Sequence, residues 1–82
     1  MYNEIILEAL KGYTTVPKDD MGVSNYLSQA LTDAGHLHTL CLGIFNGTEN
    51  LYEGVIMDGN DMNKGPLLRF TYDWDGDVFT EL

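Results

Sequence analysis

The sequence predicts an α+β domain in which two N-terminal amphipathic helices pack on one face of a three- to four-stranded antiparallel β-meander. Apolar residues recur with helical spacing twice in the first 35 positions. Strand-like apolar runs, separated by turn signals, fill the rest of the chain. Because 82 residues suffice for one core only, residues 1–82 are expected to form a single domain.

The two helices are predicted over residues 2–13 and 17–35. Apolar side chains follow the offsets 0, 3, 4, 7, 8 and 11 from Tyr2, and the same series starts again at Val23. This width of apolar stripe is typical of a helix that packs on a core. Gly35 ends the second helix because it readily adopts the left-handed conformation of a helix C-terminus.

The start of the second helix has two solutions. Pro17 suits a first helical turn, and Thr15 before it can act as a cap. Gly22 weakens that early turn, so a start near Asp20 is the alternative.

The first two strands are predicted over residues 37–45 and 51–58, with 46–50 as the loop between them. The Asn-Gly pair at the start of this loop is a strong hairpin signal. The first strand is apolar on both faces, which favours a central strand covered on both sides.

The register of this hairpin follows from matching apolar residues across the pair. Leu40 then opposes Ile56, and Cys41 opposes Val55. The sheet face away from the helices would carry Cys41, Val55, Met57 and Leu67. An apolar face of this kind makes a homodimer as reasonable as a monomer.

The last two strands are predicted over residues 66–74 and 77–82. Apolar and polar side chains alternate in the first of them, and the Asp-Gly pair at 75–76 fits a tight turn. In this register Tyr72 opposes Phe79.

Charge sets the expected partner. The chain has 13 acidic and 4 basic residues and a net charge of -9. Direct binding to nucleic acid or to an anionic membrane is disfavoured, because both depend on Lys and Arg. A basic protein surface is the expected partner, and the most probable owner of such a surface is a nucleic-acid-binding protein.

The predicted partner-binding residues lie in the strand half, where six of the nine net negative charges fall. They are Glu49, Glu53, Asp58, Asp61, Asp73, Trp74, Asp75 and Asp77. Trp74 ends a predicted strand between two carboxylates. An exposed ring there could receive a partner's arginine through ion pairing and cation–π attraction.

No metal site and no cofactor are predicted. The alternate aspartates over 73–77 match the first positions of an EF-hand calcium loop, but their glycine falls at loop position 4 instead of 6. His36 and His38 would share a strand face with Cys41 on the other, which leaves too few convergent ligands for zinc. His38 would instead pair with Asp58 across the hairpin.

The chain is predicted not to be an enzyme. It has no phosphate-binding loop, dinucleotide glycine pattern or nucleophile elbow. Cys41 lies in a core strand, where a thiol is an inert small hydrophobe. A small metal-binding or catalytic domain is the alternative from another functional class.

In size and acidity the chain resembles the small acidic inhibitors that phages and mobile elements encode. Such inhibitors block nucleic-acid-binding defence proteins, including restriction and CRISPR complexes, in some cases as DNA mimics. The resemblance implies an anti-CRISPR or anti-restriction protein in the cytoplasm of the host cell. The lone cysteine fits that reducing compartment, and no signal peptide is recognised. An immunity protein against a basic nuclease toxin is the alternative, because it would use the same electrostatics.

Overall fold

The computed structural model describes residues 2–14, 18–47 and 50–82 and confirms the α+β prediction of two helices followed by an antiparallel meander. The elements are α1 (Tyr2–Gly12), α2 (Asp20–Asp33), β1 (Thr39–Phe45), β2 (Leu51–Asp58), a short 3-10 helix (Met62–Lys64), β3 (Leu68–Asp73) and β4 (Val78–Glu81). The sheet order is β1-β2-β3-β4. Neither helix described is long and apolar enough to cross a membrane.

The core lies between the helices and one face of the sheet. α2 packs against β1, and α1 packs against α2 and β3. The fully buried side chains are Ile6, Leu10, Val23, Leu27, Leu31, Tyr52, Ile56 and Phe70. They come from the predicted helix stripes and from alternate positions of the strands, as the two periodicities require.

α2 begins at Asp20, the later of the two predicted starts. Asp19 is its N-cap, and its carboxylate accepts a hydrogen bond of 2.8 Å from the Gly22 amide. A carboxylate at this position satisfies an amide that has no partner inside the helix, which fixes the first turn. The proposed Thr15 cap and Pro17 first turn lie outside the described residues.

The register of the β3–β4 hairpin is confirmed, with Tyr72 opposite Phe79. The turn is longer than the predicted Asp-Gly pair, because strand pairing ends at Asp73 and Val78. The left-handed residue of this turn is Asp77, with φ 52°. Aspartate tolerates this conformation better than most residues with a side chain.

The predicted register of the β1–β2 hairpin is wrong by one residue. Cys41 opposes Ile56, and Leu42 opposes Val55. Because strand side chains alternate, this shift moves every side chain of β1 to the opposite face. Cys41 therefore faces the helices and is 2% exposed, whereas Leu42 and Ile44 point away from the core.

A pair of glycines explains the observed register. Gly43 lies opposite Gly54. A Cβ on Gly43 would come 2.3 Å from the Tyr52 hydroxyl, and a Cβ on Gly54 would come 2.6 Å from the Phe70 ring. The glycines therefore leave the space in which two core aromatic rings lie.

β1 is an edge strand and not the predicted central strand. Two of its outward amides donate hydrogen bonds to side chains of α2 that lie two helical turns apart. Ser28 Oγ accepts from the Cys41 amide at 2.8 Å, and Asp20 accepts from the Phe45 amide at 2.9 Å. These bonds satisfy edge groups that would otherwise be available to another strand.

The predicted pairing of His38 with Asp58 is also wrong. Thr39 is the partner of Asp58, and His38 lies before β1 with φ 67°. The one-residue change in register accounts for both differences.

Candidate partner-binding surface

One end of the molecule collects residues from distant parts of the sequence. The antiparallel register places the end of β1, the start of β2, the end of β3 and the start of β4 side by side. The start of α2 reaches the same end, because Asp20 bonds the Phe45 amide. The end of α1 also reaches it, because Trp74 Nε1 donates to the Leu10 carbonyl at 3.1 Å.

We call this surface the acidic end. Its described carboxylates are Asp19, Asp20, Glu53, Asp73, Asp75 and Asp77. Two cations, Lys11 and Lys18, lie among them. Six carboxylates against two lysines leave four negative charges without compensation at this end.

Hydrogen bonds hold the hairpin aspartates in place. Asp73 accepts from the Asp75 amide at 2.9 Å, and Asp75 accepts from the Asn50 side chain at 2.9 Å. Asp77 accepts from the Tyr72 hydroxyl. Burial, and then this bond to a carboxylate, raise the pKa of Tyr72 to about 12, so the hydroxyl remains a donor at neutral pH.

The two lysines compensate little of this charge. Lys11 Nζ lies 3.6 Å from Asp77, but both side chains are more than half exposed, and such pairs contribute little to stability. Lys18 Nζ donates to the Asn50 side chain at 3.4 Å and lies 5.1 Å from the Trp74 ring centre. The acidic end therefore keeps a net negative charge.

Trp74 differs from the expected exposed ring. It is half-buried, stacks on Phe45 at 5.9 Å and meets Tyr72 edge-on at 5.0 Å. Lys18 of the same chain already lies over the ring. The tryptophan therefore packs beneath the acidic end with part of its ring exposed, and its contact with a partner's arginine remains a prediction.

The structure divides the described carboxylates among the predicted partner-binding residues into two groups. Glu53, Asp73, Asp75 and Asp77 belong to the acidic end. Asp58 ends β2 and Asp61 follows it at the opposite end of the sheet, about 20 Å away at the rise of a β-strand. Glu49 lies outside the described residues. Binding by any of these side chains remains a prediction.

Sequence reasoning missed the contribution of α2 to this surface. The sequence pattern points to Asp20 only as a possible start of the second helix. In the structure Asp20 also bonds the edge of β1, which brings its carboxylate and that of Asp19 beside the hairpin turns. Only the packing of α2 along β1 reveals this proximity.

A second polar cluster lies in the core. Ser24 Oγ and the Tyr52 hydroxyl are 2.6 Å apart, and the same hydroxyl lies 3.7 Å from Cys41 Sγ. Desolvation raises the pKa of Cys41 to about 11 and raises the pKa of Tyr52 as well. Both groups are therefore protonated at neutral pH, which is unfavourable for a nucleophile.

Metal ligands do not converge in the part of the chain that the structure describes. No group of three or more His, Cys, Asp or Glu side chains there is placed to hold a metal ion. His36 packs against the Tyr2 ring at 4.9 Å, away from the acidic end.

Comparisons of this chain with protein-family models, with curated proteins and with solved structures found no match.

Proposed function

We propose that this chain is a small acidic, non-enzymatic binding protein that inhibits a basic nucleic-acid-binding defence protein of the restriction or CRISPR type. The observation that carries the proposal is the acidic end, where six carboxylates meet two lysines. A nucleic-acid-binding site offers the complementary charge, since Lys and Arg line such sites to neutralise phosphates. In this proposal the protein acts in the cytoplasm of a host cell and excludes DNA by occupying that site.

Two features support a binding surface over a passive soluble one. The carboxylates of the hairpin are fixed by hydrogen bonds, so little side-chain entropy is lost when a partner binds. The net charge of -9 also generates a long-range field that accelerates encounter with a cationic surface.

The proposal is tested by DNA cleavage with a purified CRISPR effector nuclease and, separately, with a purified restriction enzyme. We expect added protein to stop cleavage by at least one of them at 0.05 M salt. The inhibition should weaken strongly at 0.5 M salt, because exposed charges are screened within a few ångströms there. Failure to slow either enzyme at the lower salt would contradict the proposal.

Two variants of equal net charge identify the surface that inhibits. Asp73→Asn, Asp75→Asn and Asp77→Asn together remove three charges from the acidic end and keep an oxygen acceptor at each position. The control changes Glu4→Gln, Glu8→Gln and Asp61→Asn elsewhere. We expect at least a tenfold loss of inhibition in the first variant only; equal losses in both would leave no role for the acidic end itself. Inhibition of a basic toxin nuclease instead would support the immunity-protein alternative.

A further inference from the structure

The sheet face opposite the helices is uncovered and largely apolar. Its apolar side chains are Leu40, Leu42, Ile44, Leu51, Val55, Met57, Val78 and Leu82, and we call this surface the open sheet face. Leu42 is 50% exposed and Ile44 is 58% exposed. An open groove of about 640 Å³ is lined by part of this surface and also by residues of α2, Met21 and Ser24 among them. Apolar patches of a few hundred Å² on a protein surface are often interaction sites.

The open sheet face is continuous with the acidic end. Glu53 shares this face with its cross-strand neighbour Ile44, and Asp73 shares it with its neighbour Val78. Arg69 lies opposite Val55, further from the acidic end, and is the only cation among the described residues of this face. Negative charge therefore borders the apolar residues at the acidic end, and the one positive charge lies among them, between Val55 and Leu82.

Size and charge argue against a second copy of the chain as the occupant. Four strands of 7, 8, 6 and 4 residues, about 4.8 Å apart, give a flat footprint of roughly 300 Å². A standard interface buries about 800 Å² of accessible surface on each partner, and obligate homodimers bury more. Two copies would also bring together chains that each carry a charge of -9. A basic partner that covers the open sheet face and the acidic end together has a larger contact area and is attracted by the negative charge.

We infer that the open sheet face is the apolar centre of the partner interface and receives a basic amphipathic segment of the partner protein. This inference rests on the proposed function. The apolar side chains of the segment pack on Leu42, Ile44 and Val55. Its Lys and Arg side chains lie toward the acidic end and away from Arg69. This arrangement matches the ordinary anatomy of interfaces, in which an apolar centre is surrounded by a charged rim.

Three synthetic peptides of equal length test the inference by NMR titration of the labelled protein. One alternates Arg with Leu, the second alternates Arg with Ser, and the third alternates Glu with Leu. We expect the Arg–Leu peptide to bind at least tenfold more tightly than the Arg–Ser peptide, with shifts at the amides of Leu42, Ile44 and Val55. The Glu–Leu peptide should not bind.

Matched variants separate apolar contact from charge. Leu42→Thr with Ile44→Thr keeps strand-forming side chains, and we expect it to reduce Arg–Leu binding at least fivefold. The control is Leu37→Thr with Met62→Thr, which alters two exposed apolar residues outside the open sheet face and should leave binding unchanged. Retained chemical-shift dispersion confirms that each variant is folded.

Two results would overturn the inference and leave the proposed function standing. One is equal binding of the Arg–Leu and Arg–Ser peptides at the acidic end. The other is a dimer of the protein in sedimentation that the Leu42 and Ile44 changes dissociate, because the occupant would then be a second copy. If neither arginine peptide binds, the proposed function fails together with the inference.

Discussion

At the scale of single residues, two glycines select the register on which the rest of the molecule depends. Gly43 and Gly54 are paired across β1 and β2, and each lies under an aromatic ring. The predicted register matched apolar side chains across the hairpin and made no use of these glycines. A glycine within a strand often marks the close approach of another group, so this signal was present in the sequence.

Gly43→Ala should therefore destabilise the protein. The added Cβ would lie 2.5 Å from the Glu53 carbonyl as well as against the Tyr52 ring, and the backbone cannot easily move. We expect a loss of about 1–3 kcal/mol in the free energy of unfolding, measured with urea. In the control, Gly12→Ala, the nearest atom is 3.6 Å away, so stability should be unchanged or slightly higher. If Gly43→Ala were as stable as wild type, the close packing of the Tyr52 ring against Gly43 would be contradicted.

Because the Cys41 thiol is buried, the free energy of unfolding should fall at alkaline pH. Burial raises the pKa of Cys41 from 9.0 to about 11, so above pH 9 the unfolded chain loses a proton that the folded chain keeps. Stability is full below pH 9 and declines as the pH rises from 9 to 11. We expect Cys41 alone to reduce the free energy of unfolding by about 1 kcal/mol between pH 8 and pH 10.

The measurement is urea unfolding of wild type and Cys41→Ala at both pH values. The variant should show a smaller decline, because the thiol no longer contributes to it, whereas Tyr52 and Tyr72, whose pKa values are also raised, still do. Identical declines in the two proteins would show that the thiol is not shielded in the folded state.

At the scale of secondary-structure elements, α2 both covers the core and protects the edge of the sheet. Asp20 and Ser28 are two helical turns apart, and they accept from the Phe45 and Cys41 amides of β1. Ser24, between them, bonds Tyr52 below the strand. Polar side chains on one stripe of the helix thus accept hydrogen bonds from two amides of the edge strand, those of Cys41 and Phe45, four residues apart.

Removal of one acceptor from this stripe should open the edge locally. Ser28→Ala leaves the Cys41 amide without its 2.8 Å partner, and we expect a loss of about 1–3 kcal/mol. Hydrogen exchange of the Cys41 amide should accelerate by at least tenfold. The control, Thr32→Ala, removes a hydroxyl that bonds only the Ser28 carbonyl within the helix, so the Cys41 amide should exchange as in wild type.

At the scale of the whole molecule, the sequence predicts the order of elements well and their faces less well. Helix stripes and strand alternation are local patterns, so α1, α2 and the β3–β4 register could be read from spacing alone. The face of β1 could not, because it is apolar on both sides and a one-residue change in loop length inverts it. The same limit applies to the acidic end. Its residues on α2 join those of the hairpin only through tertiary packing.

This distinction matters for binding, since the predicted contact residues that the structure describes do not form one surface. The acidic end and the adjoining open sheet face do form one, with four uncompensated negative charges beside an apolar centre. A partner is therefore expected to approach the acidic end and not the opposite end of the sheet, where β2 connects to β3.

The most direct test of this claim is an NMR titration of the labelled protein with a hexa-arginine peptide at low salt. We predict that amide shifts concentrate at residues 50–53 and 73–78. They should vanish in the triple Asn variant at positions 73, 75 and 77 and persist in the equal-charge control at positions 4, 8 and 61. Shifts of similar size on α1 and on the β2–β3 connection, lost equally in both variants, would contradict the existence of a single acidic binding surface.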